Sequence, residues 1–515
     1  MLKDSQGLEV TTDSPETIAA INCYIEQALA YGKNAVAIFK GIEADPECAI
    51  ANAHAAAFYL SHECAESRRQ AVPYLEAAKK YVGKATEREQ LFVAAVVAWA
   101  QGAIDQSIAY TEEITDKYPR DMIAVQLGQY HYFYQGNQEA LLQIAEKVLP
   151  ANRENHYLHG MIAFGLEQCH RLGEAEAVGR MALLMNRNDP WAQHAVAHVM
   201  EMQGRLEEGI AWIESHSDTW ENCNSMLYTH NWWHVALYYL EKEDIQKVLE
   251  IYDAHLWGRA WKESPKDQVG VISLLLRLEL RRVDVGNRWQ ELVPYLIPRI
   301  HEHSLPFNDL HYIYALARAG QVELLKEMLS SMQVYADAEA GAYIKQAWSE
   351  VAVPAARGLA AHAQGAWEKA IAQLGATLSR LHAIGGSHAQ RDLFEQVYLD
   401  AWLRVGENHQ ALHLLEKRLA AHRYVPSLEQ ELTLTNNQPK VIRFFNRKTT
   451  QPATAKLSQA SNEDSKKEEI KEKYPITIKP AQATHWTEEL SPQSQGLALA
   501  KTYARIVEMG GYVGA

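Results

Sequence analysis

Between Asp189 and His234 the chain reads DPWAQHAVAHVMEMQGRLEEGIAWIESHSDTWENCNSMLYTHNWWH. Five groups in this stretch are suited to chemistry: His194, His198, Glu201, His230 and His234. Trp191, Trp220, Trp232 and Trp233 stand among them. His194, His198 and Glu201 are spaced by four and then three residues, which places them on one stripe of a helix. Histidines one helical turn apart can share a metal ion with a third ligand from the same or the next helix. His194 and His198, with His230 or Glu201, are therefore candidate ligands for a divalent ion such as zinc or iron. No other cofactor is indicated. Without a metal, neighbouring imidazoles and carboxylates can act as acid and base, because histidine titrates close to neutral pH. Aromatic walls from Trp191, Trp220 and Trp233 would exclude water and stack on a ligand or a cation. The plain alternatives stand beside these: imidazoles bonded to helix ends, and tryptophans that only fill a core.

The elements that must position these groups announce themselves through glycine. AWAQGAIDQ turns at Gly102, YFYQGNQEA at Gly136, CHRLGEAEA at Gly173 and MEMQGRLEE at Gly204, at intervals of 34, 37 and 31 residues. YLEKEDIQK around Glu243 has the same character without the glycine, and later turns fall at Gly286, Gly320, Gly365 and Gly406. Pro119, Pro150 and Pro190 stand where helices should stop or start. A period near 34 with one helix–turn–helix per period is the tetratricopeptide signature. The expected fold is an all-α, TPR-like α-solenoid of about nine helix pairs. Its expected span is residues 45–425, with capping helices in 1–44. The first helix of each such pair lines the concave groove. Taking the turn glycine as register, the groove-facing positions fall on His194, His198 and Glu201. With Gly173 as the turn they fall on Glu167 and His170, and with Glu243 on His230 and Trp233. Imidazoles from adjoining pairs should therefore converge on one hollow.

Composition narrows the function classes. The 515 residues carry a formal charge of −14, which speaks against a general binder of nucleic-acid phosphates. The first residues, MLKDSQGLEV, have no apolar signal core, and the longest apolar run, Leu91 to Ala100, is far short of a bilayer span. Five cysteines, odd in number and without a CxxC pair, suit free thiols in a reducing cytosol. A cytoplasmic protein with no membrane or nucleic-acid partner is expected. No GxxxxGK(S/T) loop, GxSxG elbow or HExxH pair occurs, which removes the commonest nucleotide-binding, esterase and metalloprotease readings.

Further candidates are more scattered. Asp253 and His255, in IYDAHLW, sit near a helix end, and Asp309 and His311 open another helix. In GGSHAQRDLFEQ, Ser387 caps a helix whose first turn holds His388, Gln390, Arg391 and Asp392. Helix N-termini attract anions, and Arg391 adds a fork for a carboxylate or phosphate; a capped helix with a surface Arg–Asp pair is the alternative. Residues 426–484 are rich in Lys, Glu, Ser, Thr and Pro and read as an extended or disordered linker. Residues 485–515 regain helical character and form a candidate docking segment for a protein partner.

WAQHAVAHVMEMQGRLEEGIAW, the Trp220–Cys223 segment, HNWWHVALYYLE, IYDAHLW and GGSHAQRDLF together resemble the tetratricopeptide repeat protein 38 family, over roughly residues 20–425. The resemblance implies an all-helical, cytoplasmic repeat protein. It marks His194, His198, Glu201, His230, Asn231, His234, Asp253, His255, His388, Gln390, Arg391 and Asp392 as family-pattern residues. It brings no settled activity. Three functions follow: a pocket for a small polar or anionic ligand or a peptide, an enzyme using the same pocket, and an interaction scaffold recruited through residues 485–515. The pocket is expected to lie between the central histidines on one side and His388 with Arg391 on the other.

Overall fold

The computed structural model of the protein describes residues 1–421. Two short strands, Leu2–Lys3 and Glu9–Val10, pair antiparallel ahead of the first helix, Pro15–Leu29. From there to Ala421 the described chain is a succession of eleven antiparallel helix pairs, one of them formed by the residues expected to cap the open end. The expected linker (426–484) and docking helix (485–515) lie outside the described residues.

The turn inside each pair is built the same way. One residue takes a left-handed backbone: Tyr31 in the first pair, then Glu63, Gly102, Gly136, His170, Gly204, Glu243, Arg282, Gly320, Gly365 and Gly406 in the ten that follow. Its N–H and, in every pair but the second, the next one reach back to the last carbonyls of the helix. Gly204 N–H donates to Glu201 O at 3.0 Å and Arg205 N–H to Met200 O at 2.9 Å; His170 and Arg171 do the same to Glu167 and Leu166. These two bonds, which satisfy carbonyls orphaned at the helix end, define the turn, and glycine is only its cheapest occupant. Two expected turns therefore move. The fifth pair turns at His170, with Gly173 already inside the helix Leu172–Met185, and the eighth turns at Arg282 rather than Gly286. With that shift the turns at 102, 136, 170 and 204 are each 34 residues apart.

The array curls so that both of its ends return against the middle. Lys33 N–H donates to Asn222 O (3.1 Å) and Asn224 N–H to Tyr31 O (2.6 Å), joining the first pair to the seventh. Lys266 pairs with Glu63 at 3.2 Å, and Arg277 donates to Ala389 O at 2.6 Å. The last helices thus return against the middle of the chain, and the first helices of most pairs face a central cavity. The helix Pro190–Met202 sits where two large apolar clusters meet. Its Ala195 and Val199 join one cluster, and Val196, Ala197 and Met200 the other. A helix packed on both flanks has little freedom to roll, which fixes the aim of its remaining side chains.

Candidate ligand and metal site

Two capped helices carry the centre. Asp189 accepts from the N–H groups of Trp191 (3.1 Å) and Ala192 (3.0 Å), and Pro190 occupies the first turn, where its missing N–H is not needed. Asn224 starts the helix Ser225–Glu241 by accepting from Leu227 N–H at 3.0 Å. With both starts fixed, His194 and His198 on one helix face His230 and His234 on the other.

The four imidazoles meet. His194 Nε2 lies 3.0 Å from His198 Nε2 and 3.0 Å from His230 Nε2. One ring nitrogen from each of His194, His198, His230 and His234 lies within 4.8 Å of the other three. Three of these residues are buried and His230 is half-buried. Two carboxylates stand behind them. Glu201 Oε2 is 3.0 Å from His234 Nδ1, and Glu167 Oε1 is 3.5 Å from His198 Nδ1, an ion-pair separation longer than a good hydrogen bond. The corrected turn explains the pattern. Glu167 and Glu201 each stand three residues before the left-handed residue of their pair, and each reaches a histidine on the first helix of the next pair.

Burial governs the charges. It pushes His230 down to about 3 and His194 and His234 well below the ordinary histidine value, with neighbouring imidazoles adding to the effect. At His198 burial acts in the same direction, but the Glu167 carboxylate outweighs it and lifts the pKa. Burial raises Glu201 to about 7, against the pull of His198 and Arg277. Trp191 stacks on His194 (centroids 4.7 Å, planes 25° apart), and Trp233 stacks on His230 (5.4 Å, 11°). Trp233 is held in turn by its N–H bond to Ser273 Oγ at 2.8 Å.

His194, His198 and His230 form part of the wall of a cavity of about 510 Å³, a volume ordinary for a small-molecule site. Phe92, Trp99, Phe133, Phe164 and Trp191 supply much of the rest. Many polar groups of the wall are already engaged: Gln126 donates to Ala28 O, Gln129 to Leu141 O, and the Tyr130 and Tyr134 hydroxyls to Glu63. Asp267 accepts from Ser225 and Thr229 through one oxygen, while its other oxygen is buried without a hydrogen bond among the described residues.

Other expected site residues lie elsewhere. Trp220 is core: fully buried, it donates to Gln193 Oε1 at 2.8 Å. Asp253 pairs with Arg288 at the surface, and His255 stacks on Trp232 (3.8 Å) and bonds the Tyr228 hydroxyl (3.0 Å), so both brace the outer side of the seventh pair. The helix His388–Val405 does face the central pairs, as His388 Nε2 meets Gln168 O at 2.8 Å and its ring lies tilted against that of His170 (centroids 4.2 Å). Gln390 reaches the cavity wall. Arg391 does not supply the expected anion-attracting face. Its guanidinium is turned onto Gly386 O and His388 at its own helix start, and burial lowers it to about 10. Asp392 is paired with Arg418 at 2.6 Å. Asn231 is buried, and neither atom of its amide has a hydrogen-bond partner among the described residues. His311 bonds Phe307 O at 2.8 Å.

One row of groups escaped the sequence argument. Asp309 Oδ2 is 2.6 Å from His303 Nδ1, and His303 Nε2 is 2.7 Å from Ser331 Oγ. The order mimics a nucleophile, base and orienting acid. Ser331 lies inside the helix Val322–Val334, however, where nearby N–H groups are spent on helical bonds and cannot face an oxyanion. The row ties the ninth pair to the loop before it.

No protein-family model matches the chain. Among solved structures it is similar to the Cut9–Hcn1 hetero-tetramer of the APC/C (13% identity, TM-score 0.39, covering 84% of this chain and 79% of that one). It is also similar to human IFIT1 as a dimer with m7Gppp-AAAA (15%, 0.38, 85% and 96%) and with PPP-AAAA (16%, 0.37, 85% and 96%).

Proposed function

We propose that this protein binds a small organic ligand in its central cavity, with the imidazole cluster as the chemically active end of the pocket. The observation that supports this most is the junction of one hollow, walled by Phe92, Trp99, Phe133, Phe164 and Trp191, with three imidazoles on its surface. Aromatic walls favour a ligand with a flat or apolar body, and the imidazoles and the spare Asp267 oxygen favour a polar end. A phosphate backbone is a poor occupant, because the net charge is −14 and the wall is aromatic rather than basic. An enzyme would use the same site. Family-pattern histidines in this cluster support a place among tetratricopeptide repeat protein 38 relatives, and five free cysteines favour a reducing cytosol as its home.

Gly270 provides the test. It lies on the cavity wall in the helix Pro265–Leu280, and a Cβ built there meets no atom within 4 Å. Gly270→Leu should project into the hollow and displace a ligand packed against that wall, keep the fold and stabilise the helix by about 0.5–1 kcal/mol. Native mass spectrometry and untargeted small-molecule analysis of purified protein should find a ligand enriched on the wild type and lost from Gly270→Leu. Equal retention by both proteins would refute a ligand in this cavity.

A further inference from the structure

We infer that His194, His198, His230 and His234 together hold one divalent transition-metal ion at the cavity wall. The inference stands independently of what fills the cavity.

Geometry comes first. A tetrahedral ion with nitrogen ligands at 2.0–2.1 Å needs those nitrogens roughly 3.3 Å apart. Here two of the contacts are 3.0 Å, and all four ligand nitrogens lie within 4.8 Å of one another before any ion draws them in. The ligands come from two helices whose starts are capped and whose rings are held by Trp191 and Trp233.

Proton counting points the same way. A neutral imidazole has one N–H and one lone pair. Glu201 behind His234, and Glu167 behind His198, favour the proton on Nδ1 and leave Nε2 as a lone pair. His194 Nε2 then faces two nitrogens at 3.0 Å, His198 Nε2 and His230 Nε2. If His194 Nε2 carries a proton, it can serve only one of them. If it does not, its single lone pair must answer both. His234 Nε2 is buried with no hydrogen bond among the described residues. Hydrogen bonds among neutral rings therefore leave at least one of these facing nitrogens unmatched, whereas one cation can face all four lone pairs. Buried polar atoms left without partners are costly, and an ion that gathers the four facing nitrogens would remove that cost here.

The donor set selects the ion. Four imidazoles suit zinc, iron, copper or nickel and offer no oxygen for magnesium or calcium. Glu167 and Glu201 act as positioning residues: they orient the ligating rings and raise their basicity. Because His194, His198 and His230 also line the cavity, a ligand there would come up against the ion.

The test uses the full chain without a polyhistidine tag, expressed in medium supplemented with zinc, iron, copper and nickel. Elemental analysis should find about one equivalent of one of these metals per chain. His198→Ala and His234→Ala should lose it at least about tenfold, and Glu201→Gln should weaken binding about 10–100-fold. His301→Ala, at an imidazole 63% exposed on the surface, should keep it. Because a buried substitution can disturb folding, stripped wild-type protein is also titrated with cobalt(II). Visible absorption bands should grow and saturate near one equivalent. Less than about a tenth of an equivalent of metal, with no saturable cobalt spectrum, overturns the proposal. So does full metal retention in both histidine variants. Gly270→Leu separates the two readings, since it should empty the cavity of ligand and leave the metal in place.

Discussion

Acidification should unfold this protein well before its carboxylates are fully protonated. His54 and His131 are buried, and desolvation lowers each to about 3 from an ordinary 6.5. His54 lies between the rings of Tyr24 and Phe92, and its Nδ1 has no hydrogen-bond partner among the described residues. His131 meets Ser107 Oγ at 3.0 Å. The folded state keeps both rings neutral, while the unfolded chain takes up a proton on each below pH 6.5. Their contribution is therefore intact above the unfolded pKa and is lost as pH falls from 6.5 towards 3. At pH 5 each histidine costs about 2 kcal/mol, so the pair removes about 4 kcal/mol from a total that is typically 5–15 kcal/mol. His62, His311 and His388, each lowered to about 4 chiefly by burial, add to the loss. Two buried carboxyls work in the opposite sense. Burial raises Asp309 to about 6 and Glu201 to about 7, and both gain stability as the pH falls through those values. The histidines outnumber them, so urea midpoints should fall steeply between pH 7 and pH 5. His54→Leu removes one proton from the balance and should flatten that slope while holding or raising stability at pH 7. A midpoint that does not move over this range would show that these rings are charged in the folded state.

The repeat was legible because the turn chemistry recurs, but its exact register was not. Glycine marks the left-handed position in six of the ten turns from Glu63 to Gly406, and Glu63, His170, Glu243 and Arg282 fill it in the rest. A non-glycine residue tolerates that conformation when two backbone bonds reward it, and nothing in CHRLG distinguishes His170 from Gly173 until those bonds are seen. Placing the turn three residues early would have aligned Glu167 with Glu201 and shown both as carboxylates behind histidines of the next pair. The convergence of His194 with His230 was legible, since first helices of adjoining pairs share a face. A curl that brings the helix at His388 to the central pairs was expected, but the contacts that close it were not legible, because pairs such as Glu63 with Lys266 and Lys33 with Asn222 lie far apart in sequence. Arg391 read as an anion site although its guanidinium is spent on Gly386 O and His388 at its own helix start, a choice of partner that residue type alone does not reveal. The aromatic wall was hidden as well: Phe92, Phe133 and Phe164 sit in helices apolar nearly all round, where sequence does not separate core from cavity.

Gly136→Ala should open the seam that closes the cavity. Gly136 has a left-handed backbone (φ 66°) at the end of the helix Met122–Gln135, and a Cβ there would lie 2.1 Å from the backbone oxygen of His382. His382 belongs to the segment Leu378–Ile384, which leads into Gly385, itself against Tyr134. A carbonyl of the main chain cannot swing aside as a side-chain tip can, so the two segments must separate. Gly102→Ala is the control. It has the same turn position and a similar φ of 74°, with no atom within 4 Å of the added carbon. The left-handed backbone alone should cost Gly102→Ala about 1 kcal/mol. Gly136→Ala should cost about 2–4 kcal/mol, the excess being the broken seam. Hydrogen exchange should accelerate in residues 378–386 of Gly136→Ala and stay unchanged there in Gly102→Ala. Any ligand held by the wild type should leave the first variant and remain on the second. Equal destabilisation by the two substitutions would mean that the seam contributes nothing, and that the array holds its curl without the contact between its fourth and tenth pairs.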